Sequence, residues 1–110
     1  MRIRSEVSST FINETDFELS KIADALAHPV RAALVRYLSE KNNGTGVDSL
    51  TCNKDLVELF NYSQSTISQH VKLLKEVGLF RTAQQDKFTH YYLNFDLLER
   101  LGQLVESLRS

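Results

Sequence analysis

Four side chains on one short stretch have the chemistry to recognise a base edge. Gln64, Ser65, Ser68 and Gln69 lie within "SQSTISQHVKLLKEVGLF", Ser63 to Phe80. A Gln amide offers a donor and an acceptor that match adenine in the major groove, and a Ser hydroxyl can meet any base edge or a phosphate oxygen. On a helix at about 100° per residue these four share one arc with Lys72 and Lys75. Ile67, Val71, Leu73, Leu74 and Val77 share the other arc, so one side of the helix is built for burial. A solvated helix face ordinarily favours Glu, Lys and Arg. The first two turns here use short hydroxyls and amides instead, and the free N–H groups at a helix start favour a phosphate. We read the stretch as a helix capped by Ser63 that presents Gln64, Ser65, Thr66, Ser68 and Gln69 to duplex DNA. The rival is a face that is only solvated or that binds another protein.

Other chemistries are weaker. Ser65, Thr66 and Ser68 beside His70 could suggest a hydrolase, but no Gly-x-Ser-x-Gly elbow or base-orienting set accompanies them, so no enzyme is expected. His70 projects into the apolar arc between Leu73 and Leu74. It reads as a half-buried structural residue bonded to a neighbour, with direct DNA contact as the alternative. Metal-type donors other than carboxylates are Cys52, His28, His70 and His90, at no recognisable ligand spacing, so neither a metal nor another cofactor is expected. Cys52 reads as an inert thiol rather than a redox switch, although a Cys near a helix start can be activated. His90 reads as a surface or DNA-proximal residue.

Six elements must position this face. Residues 1–14 lack strong periodicity and read as a flexible arm; residues 15–110 read as one domain. Leu19, Ile22, Ala23 and Leu26 mark a first helix, with Thr15 and Glu18 spaced as a capping box. Pro29 stops it and suits the first turn of a second helix carrying Val30, Ala33, Leu34, Tyr37 and Leu38. "KNNGTGVDS" is a loop, leading to a short strand near Val47 to Thr51. "NKDLVELF" is a short helix capped by Thr51 or Asn53. Asn61 suits a left-handed turn position, and Gly78 can end the helix that follows. "LFRTAQ" and "KFTHYYLN" flank a polar tip and read as a β-hairpin. Asn94 or Asp96 then opens a last helix with an apolar stripe of Leu97, Leu101, Leu104 and Leu108, beside Leu98 and Val105. A short helix, a tight turn, a second helix and a hairpin make a winged helix-turn-helix, mainly α with a small β-hairpin wing.

The stripe on the last helix has little to cover in so small a domain, so a twofold partner is expected to bury it. The chain carries a formal net charge of −1, which argues against a strongly basic DNA-coating protein. The charge is unevenly spread, however. Between residues 61 and 93, Lys72, Lys75, Arg81 and Lys87 face only Glu76 and Asp86, the one stretch with a positive balance. No apolar run approaches the roughly 20 residues of a membrane span, and no secretory h-region follows the first Arg residues. With Cys52 as the single Cys, a cytoplasmic protein with no membrane partner is expected. A winged-helix protein-interaction module without DNA binding is the rival, slightly favoured by the net charge and by Asp86.

From about Lys21 to Asn94 the chain resembles the ArsR-type family of winged-helix transcriptional repressors. "ALAHPVRAALVRYL" is similar to that family's second-helix signature. "LFNYSQSTISQHVKLLKEVGLF" is similar to its helix-turn-helix, and "KFTHYYLN" to its second wing strand. The resemblance implies a homodimer built on the first and last helices, here through Leu19, Ile22, Leu97, Leu101, Leu104, Val105 and Leu108. It also implies repression of an operon, released by an effector that no motif here specifies. It places Gln64, Ser65, Ser68 and Gln69 on bases, and Lys72, with Arg81, Gln85 and Lys87 of the wing, on phosphates. His28 departs from the Asp usual before Pro29. The wing tip "QQDK" lacks the usual Gly and carries Asp86, which repels phosphate. The family's Cys-x-Cys metal pair is reduced to Cys52, and residues 94–110 hold none of the His used by its last-helix metal site.

Overall fold

A computed structural model describes residues 11–42, 51–85 and 87–109. The elements run α1 (Glu14–Leu26), α2 (Pro29–Asn42), β1 (Thr51–Cys52), α3 (Asn53–Phe60), α4 (Gln64–Glu76), β2 (Phe80–Gln85), β3 (Phe88–Leu93) and α5 (Phe95–Ser107). The expected arm falls largely outside the described residues, as does most of the loop expected at "KNNGTGVDS", whose first two residues, Lys41 and Asn42, instead end α2.

The first helix begins earlier than the Thr15–Glu18 spacing suggests. Asn13 is its cap: Asn13 Oδ1 accepts from the Asp16 N–H at 3.0 Å, and the Asn13 N–H donates to the Asp16 carboxylate at 3.0 Å. Glu18 is unavailable for a box because both its oxygens are taken by Arg100, 82 residues away, at 2.8 and 2.9 Å. That bidentate pair ties α1 to α5.

Pro29 opens α2 as expected. His28, standing where the resembled family has Asp, still serves the helix start: its Nδ1 accepts from the Val30 N–H at 3.1 Å. The cap of α3 is Cys52 rather than Thr51 or Asn53. Thr51 is buried and paired with Tyr91 across the sheet, while Asn53 is already the first helical residue. Asp55 supports that start by accepting from the Cys52 amide at 3.0 Å and its thiol at 3.4 Å.

The hairpin gains a third strand. β3 pairs antiparallel with both β2 and β1, in the order β1-β3-β2, with Thr82 opposite Tyr91 and Cys52 opposite His90. His90, expected on the surface, is half-buried by this pairing. The helices close over one core, in which Leu34, Leu38, Leu56, Ile67, Leu74 and Leu79 are fully buried. α5 contributes Leu104 and α1 contributes Ile22 to the same core. Burial of this apolar surface is the main driving force for the packing that fixes α4.

Candidate nucleic-acid interface

Helix α4 is delimited by two backbone devices that residue type alone announced. Asn61 takes φ 56 after α3, and Gly78 takes φ +89 after α4. Between them Ser63 caps the helix: its Oγ accepts from the Thr66 N–H at 3.2 Å, and its O–H donates to Thr66 Oγ1 at 3.0 Å. Beyond the helix, Asn94 joins its end to the start of α5. It donates through Nδ2 to the Gly78 carbonyl at 3.0 Å, and through its amide to the Leu79 carbonyl at 2.8 Å. Asn94, not Asp96, therefore caps α5.

The buried side of α4 is Ile67, Val71 and Leu74. Leu73, expected on that side, is 42% exposed, because it sits at the rim of the apolar arc where no neighbouring element covers it fully. On the outer side Gln64, Ser65, Ser68, Gln69 and Lys72 are all exposed. Thr66 differs: it is half-buried and engaged with Ser63, so these two hydroxyls belong first to the cap. Arg81 on β2 and Lys87 at the hairpin turn are exposed. Gln85 lies on β2.

His70 supports the helix from behind. It is half-buried, its Nδ1 lies 3.3 Å from Arg31 Nη1, and its ring stands 4.7 Å from that of His28. Arg31 also donates through Nε to the Ala25 carbonyl at 2.7 Å. One guanidinium thus links the end of α1, the first turn of α2 and the middle of α4. Burial, then the neighbouring His28 and Arg31, hold the His70 imidazole below its ordinary pKa. The neutral ring can accept from Arg31; the protonated one cannot.

Sequence reasoning missed what lies beside the helix start. A groove of about 460 Å³ opens between α3, α4 and the wing, lined by Lys54 and Val57, by Gln64 and Ser68, and by Lys87 and Phe88 among others. Its walls come from consecutive elements, but no residue pattern within any one of them signals that Lys54 and Lys87, 33 positions apart, line one groove. Among the described residues, no group of three His, Cys, Asp or Glu side chains is placed to hold a metal ion. No helix of the described residues is long and apolar enough to cross a membrane.

The apolar surface expected on α5 is graded. Leu104 is buried within the protomer, and Leu97, Leu98 and Leu101 are half-buried. Val105 and Leu108 are 48% and 69% exposed. On α1, Ile22 is buried and Leu19 half-buried, while Phe17, which the sequence reading did not single out, is 49% exposed.

Residues 28–82 match the model of a family described as bacterial regulatory protein, arsR family. Over 93 residues the chain is 30% identical to the arsenical resistance operon repressor of Staphylococcus xylosus, covering 84% of this chain and 82% of that protein. Among solved structures, an ArsR-like transcriptional regulator from Rhodococcus sp. RHA1 superposes with a TM-score of 0.73 at 18% identity, covering 87% of this chain and 83% of that one. The homodimeric winged helix-turn-helix DNA-binding domain of a possible ArsR-family regulator from Mycobacterium bovis superposes with a TM-score of 0.60 at 17% identity, covering 99% and 90%.

Proposed function

The chain belongs to the arsR family of bacterial regulatory proteins, DNA-binding transcriptional regulators without catalytic activity, and from that premise we propose that it is a cytoplasmic homodimeric repressor whose helix α4 reads a near-palindromic operator. The observation that carries this reading is the division of α4. Ile67, Val71 and Leu74 lock the helix into the core, while Gln64, Ser65, Ser68 and Gln69 stand exposed and without charge on its first turns. A rigid back and a face of short hydrogen-bonding side chains suit the N-terminal half of a recognition helix in the major groove. Ser63 and Thr66 hold the helix start, where backbone N–H groups favour a phosphate. Lys72, Arg81, Gln85 and Lys87 supply backbone contacts in this reading. With so few cations the salt dependence is shallow for a DNA-binding protein.

The dimer in this proposal forms through α1 and α5. Val105, Leu108 and Phe17 present the exposed apolar surface, Leu19, Leu97 and Leu101 its half-buried margin, and Ile22 and Leu104 support it from within the core. The solved Mycobacterium bovis domain described as homodimeric supports this assembly. Two copies of α4 then meet half-sites about one helical turn, roughly 34 Å, apart or a multiple of it. The effector that releases the repressor is a separate question of chemistry, and Cys52, donating to Asp55, is not assigned to it.

The test is selection of bound duplexes from a random pool, followed by titration of the selected site. A preferred, near-palindromic site is expected. Replacing Gln64 and Gln69 by Ala together is expected to erase the preference, each bidentate base contact being worth about 1–3 kcal/mol, with the dimer intact. Unchanged binding by that variant, or no preferred site in the wild type, rules the reading out and favours a protein-interaction module.

A further inference from the structure

Lys54 is a charge whose place in the fold the reading of α4 leaves unused. It is exposed on the first turn of α3, and among the described residues it makes no ion pair. It lines the groove between α3, α4 and the wing, which Lys87 also lines. Gln64 and Ser68, exposed on the reading face of α4, line the same groove. The polar side of this space therefore holds two ammonium groups, which only donate, with an amide and a hydroxyl that can donate or accept. Asp55 shares the first turn with Lys54, but its carboxylate is turned onto the Cys52 amide and thiol. The Thr89 hydroxyl at the groove is committed as a donor to Gln84.

We propose that this groove seats the sugar-phosphate backbone of the bound duplex, with Lys54 and Lys87 on phosphate oxygens. The proposal rests on the DNA-reading function of α4. Two features select a stretch of backbone over an isolated anion. The groove is partly apolar, through Val57 and through Phe88, which is 54% exposed at the start of β3. A deoxyribose covers such a surface, whereas a phosphate alone does not. The groove is also continuous with the reading face, since Gln64 and Ser68 belong to both, so a duplex docked on α4 runs past it. Lys54 comes from α3, so one of the two phosphate contacts does not depend on the hairpin.

Each phosphate contact contributes about 0.9 to the slope of log K against log salt. A homodimer has two grooves, so Lys54→Ala is expected to lower the slope by about 1.8, which is about a 12-fold smaller loss of affinity between 50 and 200 mM salt. The experiment measures that slope for the full-length protein on its selected duplex, for wild type, Lys54→Ala, Lys54→Arg and Lys87→Ala, with Arg36→Ala on α2 as the control. Folding and assembly of each are checked by circular dichroism and light scattering. The expected result is a reduced slope for both Ala variants, a retained slope for Lys54→Arg and Arg36→Ala, and an unchanged ratio of selected to random duplex. A wild-type slope in Lys54→Ala overturns the clamp, while continued dependence on Gln64 and Gln69 leaves the reading of α4 standing. Shifts of the Lys54 and Thr89 amide signals on adding benzoate, without any change of slope in the variant, assign the groove to a small anion and also overturn it. Absence of any preferred duplex in the wild type fails the α4 reading itself.

Discussion

Arg31→Ala should destabilise the protein more than its half-exposed position suggests. The guanidinium makes three contacts of unequal weight. The Nε–H bond to the Ala25 carbonyl, at 2.7 Å, is short and charge-assisted, and it satisfies a carbonyl in the last turn of α1. The contact to the Asp24 carbonyl is 3.4 Å long, and that oxygen already accepts from Ala27 at 3.1 Å, so it adds little. The contact to His70 Nδ1 at 3.3 Å is of ordinary strength. The short charge-assisted bond contributes about 1.5–3 kcal/mol and the longer contact to His70 about 0.5–1 kcal/mol, which gives about 2–3 kcal/mol after allowing for solvent access. For a domain of this size that is a fall in Tm of roughly 8–12 °C. The assay is thermal unfolding followed by circular dichroism at pH 7.5 and fixed protein concentration, because a dimer's Tm depends on concentration. Arg31→Lys should recover only part of the loss, since one ammonium lacks the planar fork that reaches the α1 carbonyl and His70 together. A Tm within about 2 °C of wild type for Arg31→Ala, or full recovery by Lys, would refute the idea that this residue is a hub.

Other outcomes follow from neighbouring contacts. His70 has a lowered pKa, chiefly from burial, so below the ordinary imidazole range near 6.5 the unfolded chain holds more protons. Its stabilising effect is complete above that range and is lost as pH falls toward the depressed folded value. Wild type should therefore lose more Tm than His70→Gln between pH 7.5 and 5.5, and equal losses would contradict this. Glu18 is held below the usual carboxylate range by its hydrogen bonds to Arg100, so its contribution is present at neutral pH and is lost as pH falls through the folded value. Glu18→Gln should have a lower Tm than wild type at pH 7, with the gap closing in acid; a gap that persists at pH 2 would count against the pair. Gly78→Ala meets only Leu97 Cδ2 at 3.7 Å, so its cost is the backbone at φ +89, about 1–2 kcal/mol, readable as a lower urea midpoint. Val105→Asp with Leu108→Asp should give a folded monomer by light scattering, and a persisting dimer would remove α5 from the interface.

Most of the winged helix was legible because its signals are local. Asn61 and Gly78 are the residue types that tolerate positive φ, and the structure uses them at those turns. The burial of Ile67, Val71 and Leu74 followed from the 3.6-residue period, and the same projection placed His70 on the inner side. Failures came where one residue had two compatible partners and distance in the chain hid the winner. Thr15 and Glu18 have capping-box spacing, but Glu18 is claimed by Arg100, and Asn13 with Asp16 satisfies the same rule two residues earlier. Leu73 lies at the edge of an arc, where periodicity cannot tell coverage from exposure. The Lys54 groove needs α3, α4 and the wing in one place, which only packing creates. Arg31 announces neither the Ala25 carbonyl nor His70, because both bonds depend on how α1 and α4 cross α2.

The Glu18–Arg100 link also orders events in time. During synthesis α1 leaves the ribosome first among the described helices, yet the helix it locks onto is the last. The segment from α2 through β3 can meanwhile collapse on the contacts among its own neighbours. Until Arg100 arrives, the apolar side of α1 that carries Leu19 and Ile22 waits without α5 to cover it. The segment that carries the reading helix can therefore begin to take shape before α1 and α5 are joined. Part of the surface of α1 therefore stays open to proteases and to wrong partners until α5 has been made.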